Sequence, residues 1–389
     1  MMAKKRIVLV SFPMGSSSIG DIFLSDLIDI IQSICDEIYV ISGSKFYDKK
    51  ENINFMNLGI SLHLKGSIHP LWWSNILQIL KIIYIQIKMC YILLTIYNHV
   101  DVAFFYLGGP NFVLPVAMSK ILGIKVISAA NGLGSHSYNE CLSNNKIEFR
   151  KIIYYVLKFC ESFIFYLSDR IIVQSDNVVS FLGLEKYNRK IVNGSRFIDT
   201  AIFRRNIQQK DRANVIGYIG RMSYEKGVLN FIKGASIIIK DRSDLGFIIS
   251  GDGPLMSMVI NVLIEENLTE KIKIAGWVSH DKIGSALNDL KLLVLPSYSE
   301  GLPTIVLEAM ASGTPVLATS VGGIPDIIKD ENTGFIMENN MPKCIAKNII
   351  RALDHPRIED IINNAEKLVE NDYSYISAIE RYKAIIDNI

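Results

Sequence analysis

Two series of short apolar runs, separated by stretches with helical spacing, organise the chain. The first series predicts strands at residues 6–11, 37–42, 101–107, 124–129, 170–174 and 190–192, and the second at 214–220, 245–250, 271–275, 292–295, 315–318 and 334–337. Strands that alternate with helices form parallel sheets. The pattern therefore predicts an α/β chain with two Rossmann-like, doubly wound parallel-sheet domains that face each other across a cleft. Ligands are expected at the carboxyl ends of the strands.

A polar stretch without apolar period, Ile202–Ala213, separates the two series. We expect a first domain at residues 1–203, a linker at 204–213 and a second domain at 214–371. The last segment, 372–389, has a helical pattern with no strand after it, and it can pack back on the first domain. A chain of 389 residues agrees with two domains.

The most apolar segment of the chain is Leu71–Tyr97. Its polar residues would form one narrow stripe on a helix, because they are spaced by 4, 3, 7, 7 and 3; they are Ser74, Gln78, Lys81, Lys88, Thr95 and Asn98. One interpretation is a helix in a domain interior. The other is a helix whose apolar face, with Trp72 and Trp73 at one end, rests in a membrane interface. Because Lys81 and Lys88 interrupt the run, we do not expect a membrane-spanning anchor.

Composition and charge exclude several classes of protein. With 49% hydrophobic and 21% charged residues, the chain is not mainly disordered. Its five cysteines are scattered and form no Cys-x-x-Cys pair, which argues against a disulfide scaffold or zinc ribbon and suits the cytoplasm. Residues 1–205 hold 22 Lys/Arg and 15 Asp/Glu, and residues 206–389 hold 19 and 24. This argues against a nucleic-acid binder and allows a first half that faces an anionic membrane. Ordinary surface charge explains it equally well.

Two loops of the second half carry candidate chemistry. After the strand at 214–220, Arg221 and Lys226 precede a predicted helix, where they could neutralise a diphosphate or simply be solvated basic residues. After the strand at 292–295, Glu300 lies in a loop and a helix is expected to begin near Pro303. Glu308 is about two turns into that helix, either facing inward to accept hydrogen bonds from ribose hydroxyls or exposed to solvent.

These residues resemble a known family. Glu300 and Glu308 match the Glu-x7-Glu signature of retaining glycosyltransferases of the GT-B fold, most closely family 4 of the carbohydrate-enzyme classification, also called glycosyl transferases group 1. The same family pattern is found in Gly220-Arg221-x4-Lys226-Gly227, Gly251-Asp252-Gly253-Pro254, Gly276-Trp277-Val278, the run Glu300–Pro325, and Asn193-Gly194 with Asp199 and Phe203.

The resemblance implies that a nucleoside-diphosphate sugar is bound mainly by the second domain, residues 214–371, and the acceptor by the first domain, residues 1–203. Arg221 and Lys226 would then hold the diphosphate, Glu300 the donor sugar and Glu308 the ribose. Gly251 would belong to the donor site, and Val278 would lie near the base. Backbone amides of residues 301–304 would support sugar and phosphate; these residues are Gly301, Leu302, Pro303 and Thr304. No cofactor and no metal are expected, because cations and helix amides can stabilise the leaving diphosphate and no Asp-x-Asp pair occurs.

The first domain departs from the family pattern. Where the family has a Gly-Gly loop after the first strand, this chain keeps only Gly15. Where the family often has a histidine near the reacting sugar, this chain has Asn131, with His136 five residues later. Either His136 substitutes, or no side-chain base is required because the acceptor proton passes to the leaving phosphate. A loop histidine without a role is the simpler interpretation of His136.

The leading hypothesis is a retaining, metal-independent hexosyltransferase-type enzyme that acts on a glycan or lipid-linked acceptor. Its expected role is the synthesis of cell-surface polysaccharide, such as lipopolysaccharide or capsule, or of glycolipid. It would be cytoplasmic, with peripheral contact to the cytoplasmic membrane face. The alternatives are a GT-B sugar-nucleotide epimerase and a non-catalytic nucleotide-sugar-binding protein. The Arg221/Lys226 pair favours transfer over both, and Asn131 is the residue that favours a non-catalytic binder.

Overall fold

The computed structural model describes residues 5–12, 18–43, 52–59, 72–130 and 147–389. Gly15, Asn131 and His136 lie outside these ranges. The chain divides into two compact units: unit 1 contains Met1–Gln174, Val179–Arg196 and Ala378–Ile389, and unit 2 contains Ser175–Val178 and Phe197–Ser377.

Unit 1 is built on a seven-stranded sheet in the order β3-β2-β1-β4-β5-β6-β7, with every neighbouring pair parallel. Its strands are β1 (Ile7–Ser11), β2 (Ile38–Ser42), β3 (Ile53–Asn57), β4 (Val102–Tyr106), β5 (Lys125–Ala129), β6 (Arg170–Val173) and β7 (Ile191–Asn193). The sequence pattern missed β3. As an edge strand it is only half-buried, so it lacks the continuous apolar run of the central strands.

Three helices cover one face of this sheet. The described helices of this part of the chain are α1 (Ser18–Gln32), α2 (Trp72–Ile96), α3 (Val113–Ile121), α4 (Ile147–Leu167) and the short α5 (Asn177–Phe181). Buried residues of α2, α3 and α4 share one core with Val8, Val10 and Phe105 of the sheet. Since α3 packs against both α2 and α4, these three helices form one layer.

Helix α2 is half-buried rather than interior. Ile85, Met89 and Leu93 pack into the core of unit 1, whereas much of the opposite side of the helix is exposed. Among the described residues, one helical segment, Leu77–His99, is long and apolar enough to cross a membrane, and 33% of its most apolar window is buried. By length and composition, therefore, Lys81 and Lys88 do not exclude a membrane span.

Unit 2 is built on a six-stranded parallel sheet in the order β10-β9-β8-β11-β12-β13. Its strands are β8 (Val215–Ile219), β9 (Gly246–Ser250), β10 (Ile272–Gly276), β11 (Leu292–Leu295), β12 (Val316–Thr319) and β13 (Phe335–Met337). Its helices are α6 (Val228–Ile239), α7 (Met256–Glu265), α8 (His280–Asn288), α9 (Thr304–Ala311), α10 (Ile324–Ile327), α11 (Pro342–Leu353) and α12 (Ile358–Asp372). Two hydrophobic clusters, one led by α6 and α11 and one by α9 and α12, complete three layers.

The segment predicted as a linker, residues 204–213, belongs to unit 2. Phe203, just before it, is buried in the cluster beside α9. Arg212 is buried, and its guanidinium donates to Leu290 O at 3.0 Å and to Ser312 O at 2.7 Å. Polar side chains thus attach this segment to backbone carbonyls of unit 2. The segment is therefore part of unit 2 although it shows no periodic pattern of apolar residues.

The last helix, α13 (Tyr375–Asp387), returns the chain to unit 1. Tyr382 is buried there, donates its hydroxyl to Gly194 O at 2.8 Å and stacks on Phe104 with ring centroids 6.2 Å apart. Burial raises the pKa of this hydroxyl, so it stays protonated and remains a donor at neutral pH. Unit 1 is therefore assembled from segments that are far apart in the sequence.

Candidate active site

The loops that follow β8, β9, β10 and β11 meet at the carboxyl-end edge of the sheet of unit 2, where parallel sheets bind ligands. The β8–α6 loop ends at Gly227 with φ +68°, and a Cβ there would lie 2.0 Å from Pro296 O. Glycine therefore lets this loop approach the end of β11. That close approach brings the preceding residue, Lys226, to the loop that carries Glu300.

Lys226 and Glu300 form an ion pair. Lys226 Nζ lies 2.6 Å from Glu300 Oε2, and Ser297 Oγ donates to Glu300 Oε1 at 2.7 Å. Glu300 is 5% exposed, so its carboxylate is held by two partners in a nearly dry position. Thr319 on β12 in turn holds the backbone of Ser297, because its hydroxyl donates to Ser297 O at 2.5 Å. The predicted contact residue Glu300 is thus oriented before any ligand arrives.

Arg221 points more toward solvent than Lys226 does. Its side chain is 65% exposed, and its Nη2 lies 2.6 Å from Glu225 Oε1. Burial alone would raise the pKa of Glu225, but the Ser223 hydroxyl and the cations Arg221 and Lys226 outweigh it and lower that pKa. Glu225 is therefore ionised at neutral pH, and it holds the Arg221 guanidinium by an ion pair.

A second close approach fixes the backbone of Glu300. Gly322, after β12, has φ +55°, and a Cβ there would lie 1.7 Å from Glu300 O. Gly323 N donates to Gly301 O at 2.7 Å. Pro303 caps α9, which begins at Thr304, so first-turn N–H groups of this eight-residue helix face the loop that contains Glu300. Leu302 is buried and anchors this loop in the core beside α9.

Glu308 is buried rather than solvent-exposed. It is 6% exposed, on the side of α9 that faces the N-terminus of α8. His280 Nε2 lies 3.3 Å from Glu308 Oε1, and the ring of Phe203 packs edge-on against the His280 ring with centroids 5.4 Å apart. The carboxylate is thus held at Oε1 by the imidazole of His280.

The other predicted donor-site residues lie on the same edge of the sheet. Gly251 follows β9 and donates its N–H to Gly276 O at 2.7 Å, which ties the β9 and β10 loops together. Val278 is half-buried between β10 and α8. Gly15, Asn131 and His136, which were predicted for the first domain, lie outside the described residues. Within the described ranges, no cluster of three or more His, Cys, Asp or Glu side chains could hold a metal ion.

Three contributors to this site were missed by the sequence reasoning. His280 follows Gly276-Trp277-Val278 closely, and Glu225 directly precedes Lys226, so both neighbour motifs that were recognised. Ser297 stands three residues before Glu300 with no motif of its own. Their roles depend on contacts between loops, which the order of residues along the chain does not reveal.

We expect His280→Ala to weaken donor binding and to leave turnover nearly unchanged. Without the imidazole, the Glu308 carboxylate loses one hydrogen-bond partner and its fixed orientation, so the KM for the donor should rise about 3- to 10-fold. Steady-state kinetics would separate KM from kcat. His280→Gln, which restores an N–H donor, should recover part of the loss, and Lys282→Ala, an exposed change on the same helix, should have no effect. An equal fall in kcat would contradict a positioning role.

Comparison with known proteins identifies the family of the part of the chain that carries these site residues. The family described as glycosyl transferases group 1 matches residues 199–373. Alpha-D-kanosaminyltransferase of Streptomyces kanamyceticus is 30% identical over 195 residues, which cover 49% of this chain and 50% of the relative. The UDP-Gal:alpha-D-GlcNAc-diphosphoundecaprenol alpha-1,3-galactosyltransferase of Escherichia coli is 28% identical over 177 residues, or 45% of each chain. The chain thus spans about half the length of the curated relatives it matches.

Solved structures extend the likeness to both units at the level of the fold. The Anabaena protein HepE in complex with UDP and glucose aligns with a TM-score of 0.73 at 14% identity, over 99% of this chain and all of its own. Sucrose-phosphate synthase from Thermosynechococcus elongatus aligns with a TM-score of 0.74 at 16% identity, over 99% and 98%. Residues 199–373 therefore form a domain of the glycosyl transferases group 1 family, in a chain that has the GT-B fold.

Proposed function

We propose that the protein is a glycosyltransferase that moves a sugar from a nucleoside-diphosphate sugar to a glycan or lipid-linked acceptor, with retention of anomeric configuration and without a metal. The observation that carries the proposal is the Lys226–Glu300 ion pair beside the N-terminus of α9. It combines a cation for the leaving diphosphate with a carboxylate that can accept hydrogen bonds from sugar hydroxyls. Glu308 adds a second buried carboxylate for the ribose.

Charge neutralisation explains how this site would promote the reaction. In the transfer step, the acceptor oxygen bonds to the anomeric carbon as the bond between that carbon and the diphosphate oxygen breaks. The acceptor proton passes to the departing diphosphate, on the same face of the sugar. Lys226, Arg221 and the first-turn amides of α9 would stabilise the charge that develops there. These groups would supply the stabilisation that a metal ion gives in other transferases.

The cellular role is proposed from the acceptor of a relative. The Escherichia coli relative is named for a diphosphoundecaprenol-linked acceptor, which is a lipid-linked sugar. We extend this class of acceptor to the present chain and propose that the enzyme acts in the cytoplasm, at the cytoplasmic face of the membrane. Its products would be cell-surface polysaccharide, such as lipopolysaccharide or capsule, or glycolipid. The donor remains within the nucleoside-diphosphate sugars, with its base beside Val278.

A donor panel tests this function. UDP-, GDP-, ADP- and dTDP-sugars would be assayed for slow hydrolysis and for transfer to a membrane lipid extract, with and without EDTA. We expect one donor to react in both assays, a product with the donor's anomeric configuration by NMR, and no loss with EDTA. Arg221→Ala should lower kcat by at least about 10-fold, since its charge matters most as the diphosphate leaves.

The matched control is Arg242→Ala, which removes an exposed arginine paired with Asp244 away from the strand ends that form the site. It should leave both assays unchanged. Binding of a nucleotide sugar without hydrolysis or transfer would favour a non-catalytic binder, and interconversion of sugar epimers would favour an epimerase. An inverted product would contradict retention alone, and loss of activity with EDTA would contradict metal independence alone.

A further inference from the structure

The layer formed by α2, α3 and α4 has an exposed apolar outward face. All three helices bury one side against the same face of the sheet of unit 1, so their opposite sides point the same way, away from the sheet. On α2 the exposed apolar residues repeat at spacings of three and four; they are Leu77, Leu80, Tyr84, Ile87, Tyr91 and Leu94. Ile121 at the end of α3 is 80% exposed, and Phe159 on α4 is 71% exposed.

Apolar surface of this extent is unusual on a soluble domain. Monomeric proteins expose single apolar side chains everywhere, but contiguous patches mark interaction sites. Helix α2 alone presents such side chains from Leu77 to Leu94, which is roughly 25 Å at the rise of an α-helix. Tyr155 and Tyr166 extend the patch along α4. The outward face therefore needs a partner that buries a broad, gently curved apolar surface.

Among the described side chains, the exposed charges of this face are all positive. Helices α2 and α3 contain no Asp or Glu at all. In the part of α4 with described side chains, residues 151–167, the single acidic residue is Glu161, and it is buried. The exposed charged side chains of the layer, among those described, are Lys81, Lys151 and Lys158. Such a face has exposed apolar side chains, tyrosines and lysines. It is complementary to a surface that has an apolar interior and an anionic outer layer.

We propose that the outward face of the α2–α3–α4 layer docks on the surface of a lipid bilayer that contains anionic headgroups. Helical spacing places Lys81 and Lys88 along one flank of α2, between its buried side and its exposed apolar side. A helix lying in the interface has its cations at that height, where the exposed Lys81 can reach headgroups while the apolar side enters the acyl region. Lys88 donates to Leu58 O at 2.7 Å and stays bonded within unit 1. Tyrosine is enriched at the same level.

Two other occupants fit the observations less well. A membrane span by α2 would pull Ile85, Met89 and Leu93 out of the core of unit 1, where they are fully buried. A second copy of this chain in a two-fold dimer would set the face against itself. The exposed lysines of one copy would then face those of the other. Among the described side chains, the three helices offer no exposed carboxylate that could pair with these lysines.

The proposal does not depend on the activity of unit 2. Vesicle flotation would compare phosphatidylcholine vesicles with and without phosphatidylglycerol, using the whole chain. We expect binding only to the anionic vesicles, with a decrease as salt is raised. Replacing Lys81, Lys151 and Lys158 together by glutamine should weaken binding by about 10-fold or more, since each lysine near an anionic surface contributes roughly fivefold.

Matched variants separate the surface from general effects. Tyr91→Asp with Phe159→Asp should abolish flotation, whereas Ile264→Asp with Ile376→Asp, equally exposed apolar positions of unit 2, should leave it unchanged. The charge control replaces Lys233, Lys240 and Lys271, exposed lysines of unit 2, by glutamine. Thermal melting would confirm that the variants are folded.

Four outcomes would overturn the proposal. The first is that the chain binds neutral vesicles as well as anionic ones, and the second is that the control variants weaken binding as much as the variants of the outward face. The third is membrane association that resists extraction with alkaline carbonate. The fourth is a chain that binds no vesicles but forms a dimer in sedimentation velocity, which Tyr91→Asp with Phe159→Asp dissociates. Donor hydrolysis, measured in parallel, keeps the two proposals apart. A chain that binds vesicles without any sugar chemistry contradicts the proposed function alone, and an active chain that ignores vesicles contradicts the docking surface alone.

Discussion

Lys226→Ala should lower the turnover of the donor by about 100- to 1,000-fold, which is the usual effect of removing one preorganised charge donor from a transition state. Lys226 Nζ is already fixed 2.6 Å from Glu300 Oε2, so it can meet the departing diphosphate without reorganising. Donor affinity should change less than kcat, because charge accumulates on the diphosphate only as the bond breaks. Single-turnover kinetics with the reactive donor would measure the effect.

The change also leaves the buried Glu300 carboxylate without its cation, so part of the loss could come from lower stability. Combining Lys226→Ala with Glu300→Gln removes the uncompensated charge, and it should restore the melting temperature while turnover stays well below that of Glu300→Gln alone. Lys233→Ala, an exposed lysine on α6, serves as the control and should behave as the unmodified chain. If the double variant recovered its activity, Lys226 would be a structural residue only.

Arg212→Met should lower the free energy of unfolding of unit 2 by about 3–5 kcal/mol, because it leaves the buried acceptors of the guanidinium without a donor. The guanidinium donates to the carbonyls of Ile207, Leu287, Leu290 and Ser312 and to Thr314 Oγ1. Burial lowers the pKa of Arg212 to about 10, which still leaves the side chain charged at neutral pH. Methionine fills the space but supplies none of these donors.

Calorimetry would follow this change as a fall in the melting temperature of unit 2 by roughly 6–20 °C, given 2–4 °C per kcal/mol for a domain of this size. Arg242→Met, which removes an exposed ion pair, should cost no more than about 1 kcal/mol. Equal shifts for the two variants would mean that the buried network contributes nothing beyond surface charge.

Much of the fold followed from periodicity. Twelve strands were expected, and each has its counterpart in the two sheets, within one or two residues at the ends. The central strands, such as β1, β4 and β11, are buried on both faces, which gives continuous apolar runs that sequence alone reveals. The strand that was missed, β3, is an edge strand in which polar residues interrupt the apolar run. The position of Arg212 was also missed, since a buried arginine and a solvated one look alike in a polar segment.

The site was predicted less completely than the fold. Lys226, Glu300 and Glu308 were singled out because their spacing matches family motifs, and all three lie on the expected edge of the sheet. Their roles toward a ligand stay a prediction. The ion pair between the first two could not be predicted, because it depends on the glycine that lets the β8–α6 loop approach Pro296. His280 reaches Glu308 across two helices, and no local pattern records such a contact.

The burial of Tyr382 in unit 1 has a consequence for how the chain is made. Unit 2 is almost continuous in sequence, so it can fold as soon as residue 377 has left the ribosome. Unit 1 lacks residues 378–389 until later, and after residue 196 it waits for them on the order of 10–40 s at ordinary elongation rates. During that wait Phe104, on the sheet of unit 1, lacks the Tyr382 ring that stacks on it. The later part of the polypeptide therefore matures first, and a nascent chain of the first 196 residues is the form in which a chaperone would have most to protect.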